Sequence, residues 1–143
     1  DVLSWSWPDQ RTRLDLAAAA LTLAADHGPV IDRADAADWL ERRLDAPPLP
    51  GVLRLVFHTV VRQYLPAATT TRLDAALAEA GRRASAATPL AHLSMEADAT
   101  PGSAALHLTL WPGGTTREIG RADFHGRHVA WSSARSRFVV EGP

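Results

Sequence analysis

Two side chains in this sequence have the types and positions needed for proton transfer, His58 and Glu96. Each comes at the end of a run with strand character, 52–57 for the histidine and 90–95 for the glutamate. An imidazole titrates near neutral pH, and a neighbouring carboxylate raises its pKa and fixes the nitrogen that carries the proton. If the strands are neighbours, the pair could act as a catalytic acid and base. Otherwise His58 bonds a loop carbonyl and Glu96 is a solvated residue before a turn.

Five further side chains could bind a substrate. Gln63 and Tyr64 lie in the loop that follows the strand of His58, where an amide and a phenol could orient a ligand. Trp111 precedes a Pro-Gly-Gly turn and could stack on a flat ligand. Asp9, at a helix start, could bind a ligand hydroxyl, and His125 lies in a turn between strands. Four of them also have a structural alternative: Tyr64 packing under its loop, Gln63 capping a helix, Trp111 closing the core, and Asp9 complementing the helix dipole.

His125 and His128 could be metal ligands, with His58 and Glu96 completing the set. The two flank Gly126 in a turn rather than one face of a helix, and the glycine suits a turn position with positive φ. We therefore predict no metal site. Metal-dependent hydrolysis remains a weaker alternative.

The elements that must position these residues begin with the run at 52–61, apolar at first and followed by polar residues. A strand that is apolar on both faces suits the centre of a parallel sheet, which helices cover on both sides. Ligands of open α/β sheets bind beyond the carboxyl ends of such strands. The run predicts a central strand with a site at its polar end.

Helical spacing of apolar residues predicts three helices. The first begins near Pro8 and ends at Gly28, the second is capped by Asp32 and runs to Leu44, and the third follows Pro66 with Gly81 as an internal weak point. Further strands are predicted at 2–7, 30–31, 90–97, 105–111, 116–122 and 127–131.

This order predicts an α/β fold with a mainly parallel sheet flanked by helices and a C-terminal antiparallel strand meander. We expect one domain over 1–134, with 135–143 as a tail or short extra strand. The chain begins like the interior of a longer protein, since residues 1–5 are already strand-like and lack an initial Met.

Composition excludes several classes of protein. A net charge of −1 gives no electrostatic reason to expect nucleic acid or an anionic membrane as partner. No Cys is present, which excludes thiolate chemistry and disulfides. No apolar run approaches the roughly 20 residues that span a bilayer, and no signal peptide is visible. We expect a cytoplasmic protein.

Several segments together resemble a bacterial family of uncharacterised proteins, domain of unknown function 2332. They are WPDQ at 7–10, DAADWL at 35–40, HTVVRQYLP at 58–66, PLAHLSME at 89–96, LTLWPGG at 108–114 and HGRHVAW at 125–131. Thr59 and Arg62 depart from the pattern, which has Ser and Trp there. Family members are about twice this length, and the chain resembles their C-terminal half.

The layout of the family is similar to the second half of a Rossmann-like methyltransferase, in which the glycine-rich cofactor loop lies in the first half. The chain has no G-x-G-x-x-G. The resemblance therefore implies the substrate side of such an enzyme, with S-adenosylmethionine bound only when an N-terminal half is present. The alternative is a non-catalytic small-molecule-binding or assembly module, with a possible homodimer through the surface that the missing half would expose.

Overall fold

The computed structural model of the chain describes residues 7–132 and the backbone of 139–141. Its contacts divide it into two compact units, Asp1–Arg33 and Ala34–Pro143, and each is described by itself. The strand predicted at 2–7 lies outside the described residues except for Trp7, which is not in a strand. One domain over 1–134 stays a prediction. Among the described residues, no helix has the length and apolar character needed to cross a membrane.

The first unit contains helix α1, Arg11–His27. Its predicted end is confirmed, because Gly28 adopts the left-handed conformation at φ 54° and its amide donates to the carbonyl of Ala24. The strand predicted at 30–31 is wrong. Val30 and Ile31 are each 88% exposed and pair with no strand among the described residues.

The second unit begins with helix α2, Ala36–Asp45. Its cap is Asp35 rather than the predicted Asp32, because the Asp35 carboxylate accepts hydrogen bonds from the amides of Ala37 and Asp38. Helix α3, Ala67–Arg83, follows after a single 3-10 turn at Arg62–Tyr64.

Six strands form one sheet in the order of the sequence. They are β1 Arg54–Thr59, β2 Leu90–Ala97, β3 Ala104–Trp111, β4 Thr115–Ala122, β5 His128–Trp131 and β6 Val139–Glu141. Only the β1–β2 pair is parallel, and the other four pairs are antiparallel. The fold is α/β with a C-terminal antiparallel meander, as expected. The mainly parallel sheet is a wrong prediction, because β3, β4 and β5 each return beside the preceding strand through a short turn, which makes those pairs antiparallel.

The expectation that β1 is the central strand is also wrong. It lies at the edge of the described sheet and pairs only with β2. Its side chains alternate between half-buried and exposed, with Leu55 at 53% and Phe57 at 65% exposure. The apolar run therefore marks a strand with one face packed on helices, while the other face is apolar and not covered by the described residues of this unit.

The core of this unit lies between the two helices and one face of the sheet. Its buried residues are Leu40, Leu44, Leu77, Ala80 and Leu90. Trp111 closes one end against Gly81 of α3, where any Cβ would overlap the indole ring. The glycine that weakens the helix is thus required by close packing.

Candidate functional site

Polar side chains cluster on the helix-facing side of the parallel strands, toward their carboxyl ends. His58 is the last residue of β1 on the helix-facing side, and it lies opposite Ser94 of β2. His92 and Glu96 flank Ser94 at alternate positions, so all three share that face. His107 of β3 lies opposite Ser94 on its other side. The topology thus brings three histidines and one carboxylate onto one patch of the sheet.

His58 and Glu96 form the closest pair of this cluster. Nδ1 of His58 lies 2.7 Å from Oε1 of Glu96, and the two side chains are only 20% and 18% exposed. The same oxygen accepts the backbone amides of Val61 at 3.1 Å and Arg62 at 3.3 Å. An ionised carboxylate oxygen can only accept, so the proton of the His58–Glu96 bond lies on Nδ1 of His58. Of the two alternatives for Glu96, the structure has the one in which its side chain lies against His58.

His92 contacts the other nitrogen of His58. The two Nε2 atoms lie 3.0 Å apart, and the rings are tilted by 37°. One proton must lie between two nitrogens at this distance, since two protons would clash and two lone pairs would repel. Burial, and then the neighbouring His58 and Arg62, lower the pKa of His92 to about 4. His92 is therefore neutral at physiological pH.

An arginine–carboxylate pair holds the loop that follows β1. Arg62 donates two parallel hydrogen bonds to Asp74 of α3, at 2.8 and 2.7 Å. These bonds lower the pKa of Asp74 and raise that of Arg62. The guanidinium is engaged with α3 while its backbone amide bonds Glu96, so the loop is tied to both neighbours.

Val60 carries backbone strain beside the cluster. Its φ is 47°, in the left-handed region that β-branched residues rarely adopt. Its amide donates to the carbonyl of Met95 at 2.7 Å, which extends the β1–β2 pairing by one residue. The strain lets the chain turn sharply after Thr59 and present the next two amides to Glu96.

Of the predicted substrate residues, Gln63 and Tyr64 lie nearest to this cluster. Both are in the 3-10 turn just after β1, and Tyr64 is 76% exposed. Trp111 is not brought to it: it lies opposite Leu90, six residues or roughly 20 Å along β2 from Glu96.

His125 and Asp9 are not members of the cluster. His125 is exposed in the β4–β5 turn, at the same end of the sheet as Glu96 but two strands further across. Asp9 is exposed and belongs to the first unit. Neither has a described contact with the cluster.

The candidate metal ligands are not brought together. The described residues contain no group of three or more His, Asp or Glu side chains arranged to hold a metal ion. In the β4–β5 turn, the amides of His125 and Arg127 instead donate to the carboxylate of Asp123. Gly126 adopts a φ of 74°, the positive-φ position expected of it.

His92 and Asp74 are the members of the site that sequence reasoning missed. The signal for His92 was present, because a histidine and a glutamate four residues apart on a strand share one face. The Arg62–Asp74 pair had no such signal, since it joins a loop to a helix.

Comparison with the curated proteins and with the solved structures finds no match. A family model described as "Uncharacterized protein conserved in bacteria (DUF2332)" matches residues 1–131 of the 143. That span includes every residue of the cluster. The chain belongs to this uncharacterised bacterial family, DUF2332.

Proposed function

We propose that the chain carries an acid–base site for a small-molecule substrate, in which His58 exchanges the proton and Glu96 orients it. The observation that carries the proposal is the 2.7 Å bond between His58 Nδ1 and a carboxylate oxygen that also accepts two backbone amides. Three donors, the His58 ring and two backbone amides, hold this oxygen in place. The carboxylate in turn holds the orientation of the imidazole.

This arrangement suits general-base catalysis for an electrostatic reason. When Nε2 of His58 takes a proton, the imidazolium that forms lies against an ionised carboxylate with little access to water. A carboxylate in that position stabilises the charged ring and holds the reactive tautomer. Positioned proton transfer of this kind contributes roughly 10²–10⁴-fold to a rate.

The test is proton abstraction from 5-nitrobenzisoxazole, a neutral compound whose ring opens to a coloured phenolate when a base removes its C–H proton. We expect turnover by the unaltered protein to exceed that of imidazole at equal concentration. His58→Ala should lower kcat/KM by roughly 10²-fold. His128→Ala, which removes an exposed histidine outside the cluster, should leave it unchanged.

The proposal fails if His58→Ala and His128→Ala behave alike, or if the unaltered protein is no better than imidazole. Circular dichroism of both variants, compared with the unaltered protein, separates loss of the base from loss of the fold.

Methyl transfer is the reaction class that the resemblance implies, and we propose it as the chemistry that such a base would serve. A base at the carboxyl end of a parallel strand would remove the proton of the methyl acceptor. Calorimetric titration with S-adenosylmethionine, using a protein that includes the N-terminal half, tests it. Absence of binding would exclude this reaction and leave the acid–base site untouched.

A second candidate function is assembly, favoured by the apolar surface on the other face of the sheet. Leu55 and Leu110 flank Ala91, and Phe57 and Leu108 flank Leu93. We call these six residues the β1 apolar surface. Leu55, Phe57 and Leu110 are 53%, 65% and 50% exposed, and grouped exposure of this kind is typical of an interface. The occupant we propose is a second copy of the chain.

A further inference from the structure

We infer that protons enter this site through His92. His92 accepts a proton at one ring nitrogen and gives one from the other nitrogen to His58, so His92 changes tautomer while His58 takes the charge. The inference rests on the proposed acid–base function and adds a third member to it. Its basis is the contact of 3.0 Å between the two Nε2 atoms, with the far side of His58 bonded to Glu96 at 2.7 Å.

Hydrogen-bond directions follow from Glu96. Its Oε1 is an acceptor, so His58 donates from Nδ1, and a neutral His58 has only a lone pair at Nε2. His92 must then donate from Nε2, which leaves the lone pair of His92 at Nδ1. The nitrogen of His58 that would act as a base is therefore covered by His92.

The second nitrogen of His92 has no described hydrogen-bond partner and is not fully buried. Among the residues that the structure describes, none hydrogen-bonds Nδ1 of His92, whose Nε2 is taken by His58. No buried side-chain nitrogen or oxygen in that part of the chain lacks a partner. Nδ1 is therefore not fully buried, and it is the nitrogen of the pair that can take a proton from outside.

Proton balance defines the step. A substrate X–H gives its proton to Nδ1 of His92, and the Nε2 proton of His92 passes to Nε2 of His58. The products are X⁻, a neutral His92 protonated at Nδ1, and a His58 imidazolium paired with the Glu96 carboxylate. His92 is never charged, so burial and the nearby Arg62, which oppose a charged His92, do not oppose the transfer.

The surroundings of the pair consist of a few charged groups. Glu96 of β2 bonds His58. Close to the two histidines, Arg62 of the 3-10 turn donates to Asp74 of α3. His107 of β3 lies on the same face of the sheet. Of these groups, Glu96 alone bonds either imidazole. Charge is therefore expected to accumulate on His58.

The experiment is a ¹H–¹⁵N long-range correlation spectrum of histidine side chains in ¹⁵N-labelled protein, titrated from alkaline to acid pH. At the alkaline end we expect His58 protonated at Nδ1 and His92 at Nε2. Uptake of the first proton by the pair should make His58 doubly protonated and move the His92 proton to Nδ1. Glu96→Gln should abolish this exchange, whereas His128→Ala should preserve it.

The inference is overturned if His92 becomes an imidazolium before His58, if His92 keeps its Nε2 proton once His58 is charged, or if Glu96→Gln changes nothing. The spectrum needs no substrate, so it separates the two proposals. A tautomer exchange without turnover of 5-nitrobenzisoxazole would contradict only the acid–base function, and turnover without the exchange would contradict only the role of His92.

Discussion

Glu96 joins the histidine cluster to the loop after β1, because one oxygen of its carboxylate accepts hydrogen bonds from the His58 ring and from two backbone amides of that loop. From the sequence, its pairing with His58 was one of two alternatives, because it depended on the two strands being neighbours. The sequence placed His92 on the same face of β2 as Glu96. It did not define the register that brings His92 within reach of His58, because that register is set by the packed sheet.

The burial of His92 predicts a loss of stability in acid. The unfolded chain takes up a proton at His92 below its ordinary pKa of 6.5, but the folded protein does so only near a pKa of about 4. As the pH is lowered from 6.5 to about 4, the free energy of unfolding should therefore decrease by about 1–2 kcal/mol, after discounting for the partial exposure of His92. Urea denaturation across this range measures it.

His92→Asn provides the control for that titration, because an amide keeps a hydrogen-bond donor but does not titrate. The difference in stability between the two proteins should shrink as the pH falls from 6.5 toward 4. A constant difference would contradict the assigned environment of His92.

Backbone strain at Val60 gives a second prediction at this scale. Glycine relieves the positive φ of 47°, which offsets the loss of a half-buried side chain. Val60→Gly should change the free energy of unfolding by less than about 0.5 kcal/mol. Val61→Gly, at a residue with φ −115°, should lower it by about 1 kcal/mol. Equal losses in thermal or chemical denaturation would argue against the strained turn.

At the scale of elements, most helices and strands were predictable and their arrangement was not. Alternating and helical periodicity located α1, α3 and β2 to β5 within a few residues. The 52–61 run predicted a buried central strand because continuous apolar sequence cannot distinguish a strand with two packed faces from one with an uncovered apolar face.

The contact between α3 and β3 predicts an unusual response to a helix-favouring substitution. Gly81→Ala should raise helix propensity by about 1 kcal/mol, yet the added Cβ overlaps the Trp111 ring. We expect a net loss of about 1–3 kcal/mol in the free energy of unfolding. In a Trp111→Ala background the same substitution should become neutral or stabilising. Destabilisation of equal size in both backgrounds would refute the close packing.

At the scale of the whole molecule, the sheet has two chemically distinct faces at its β1 edge. One carries the histidine cluster and the helices, and the other is the β1 apolar surface. The sequence showed that the side chains at the start of β1 are apolar on both faces. It could not show which face the helices cover, since that depends on where the helices pack.

Self-association through the β1 apolar surface is the prediction at this scale. We expect light scattering at high protein concentration to report a dimer. Leu55→Ser should shift the protein toward the monomer, because it places a hydroxyl in the apolar contact. Leu49→Ser, at a loop leucine that is 69% exposed, should have no effect. A monomeric unaltered protein would remove this candidate function.

The central claim is that His58 and Glu96 act as one catalytic unit. A double-mutant cycle on kcat/KM for 5-nitrobenzisoxazole tests it most directly, with His58→Ala, Glu96→Gln and the double variant. If the carboxylate acts only through the imidazole, the double variant should be no slower than His58→Ala alone. Losses that multiply would mean that the two side chains act independently, and would contradict the claim.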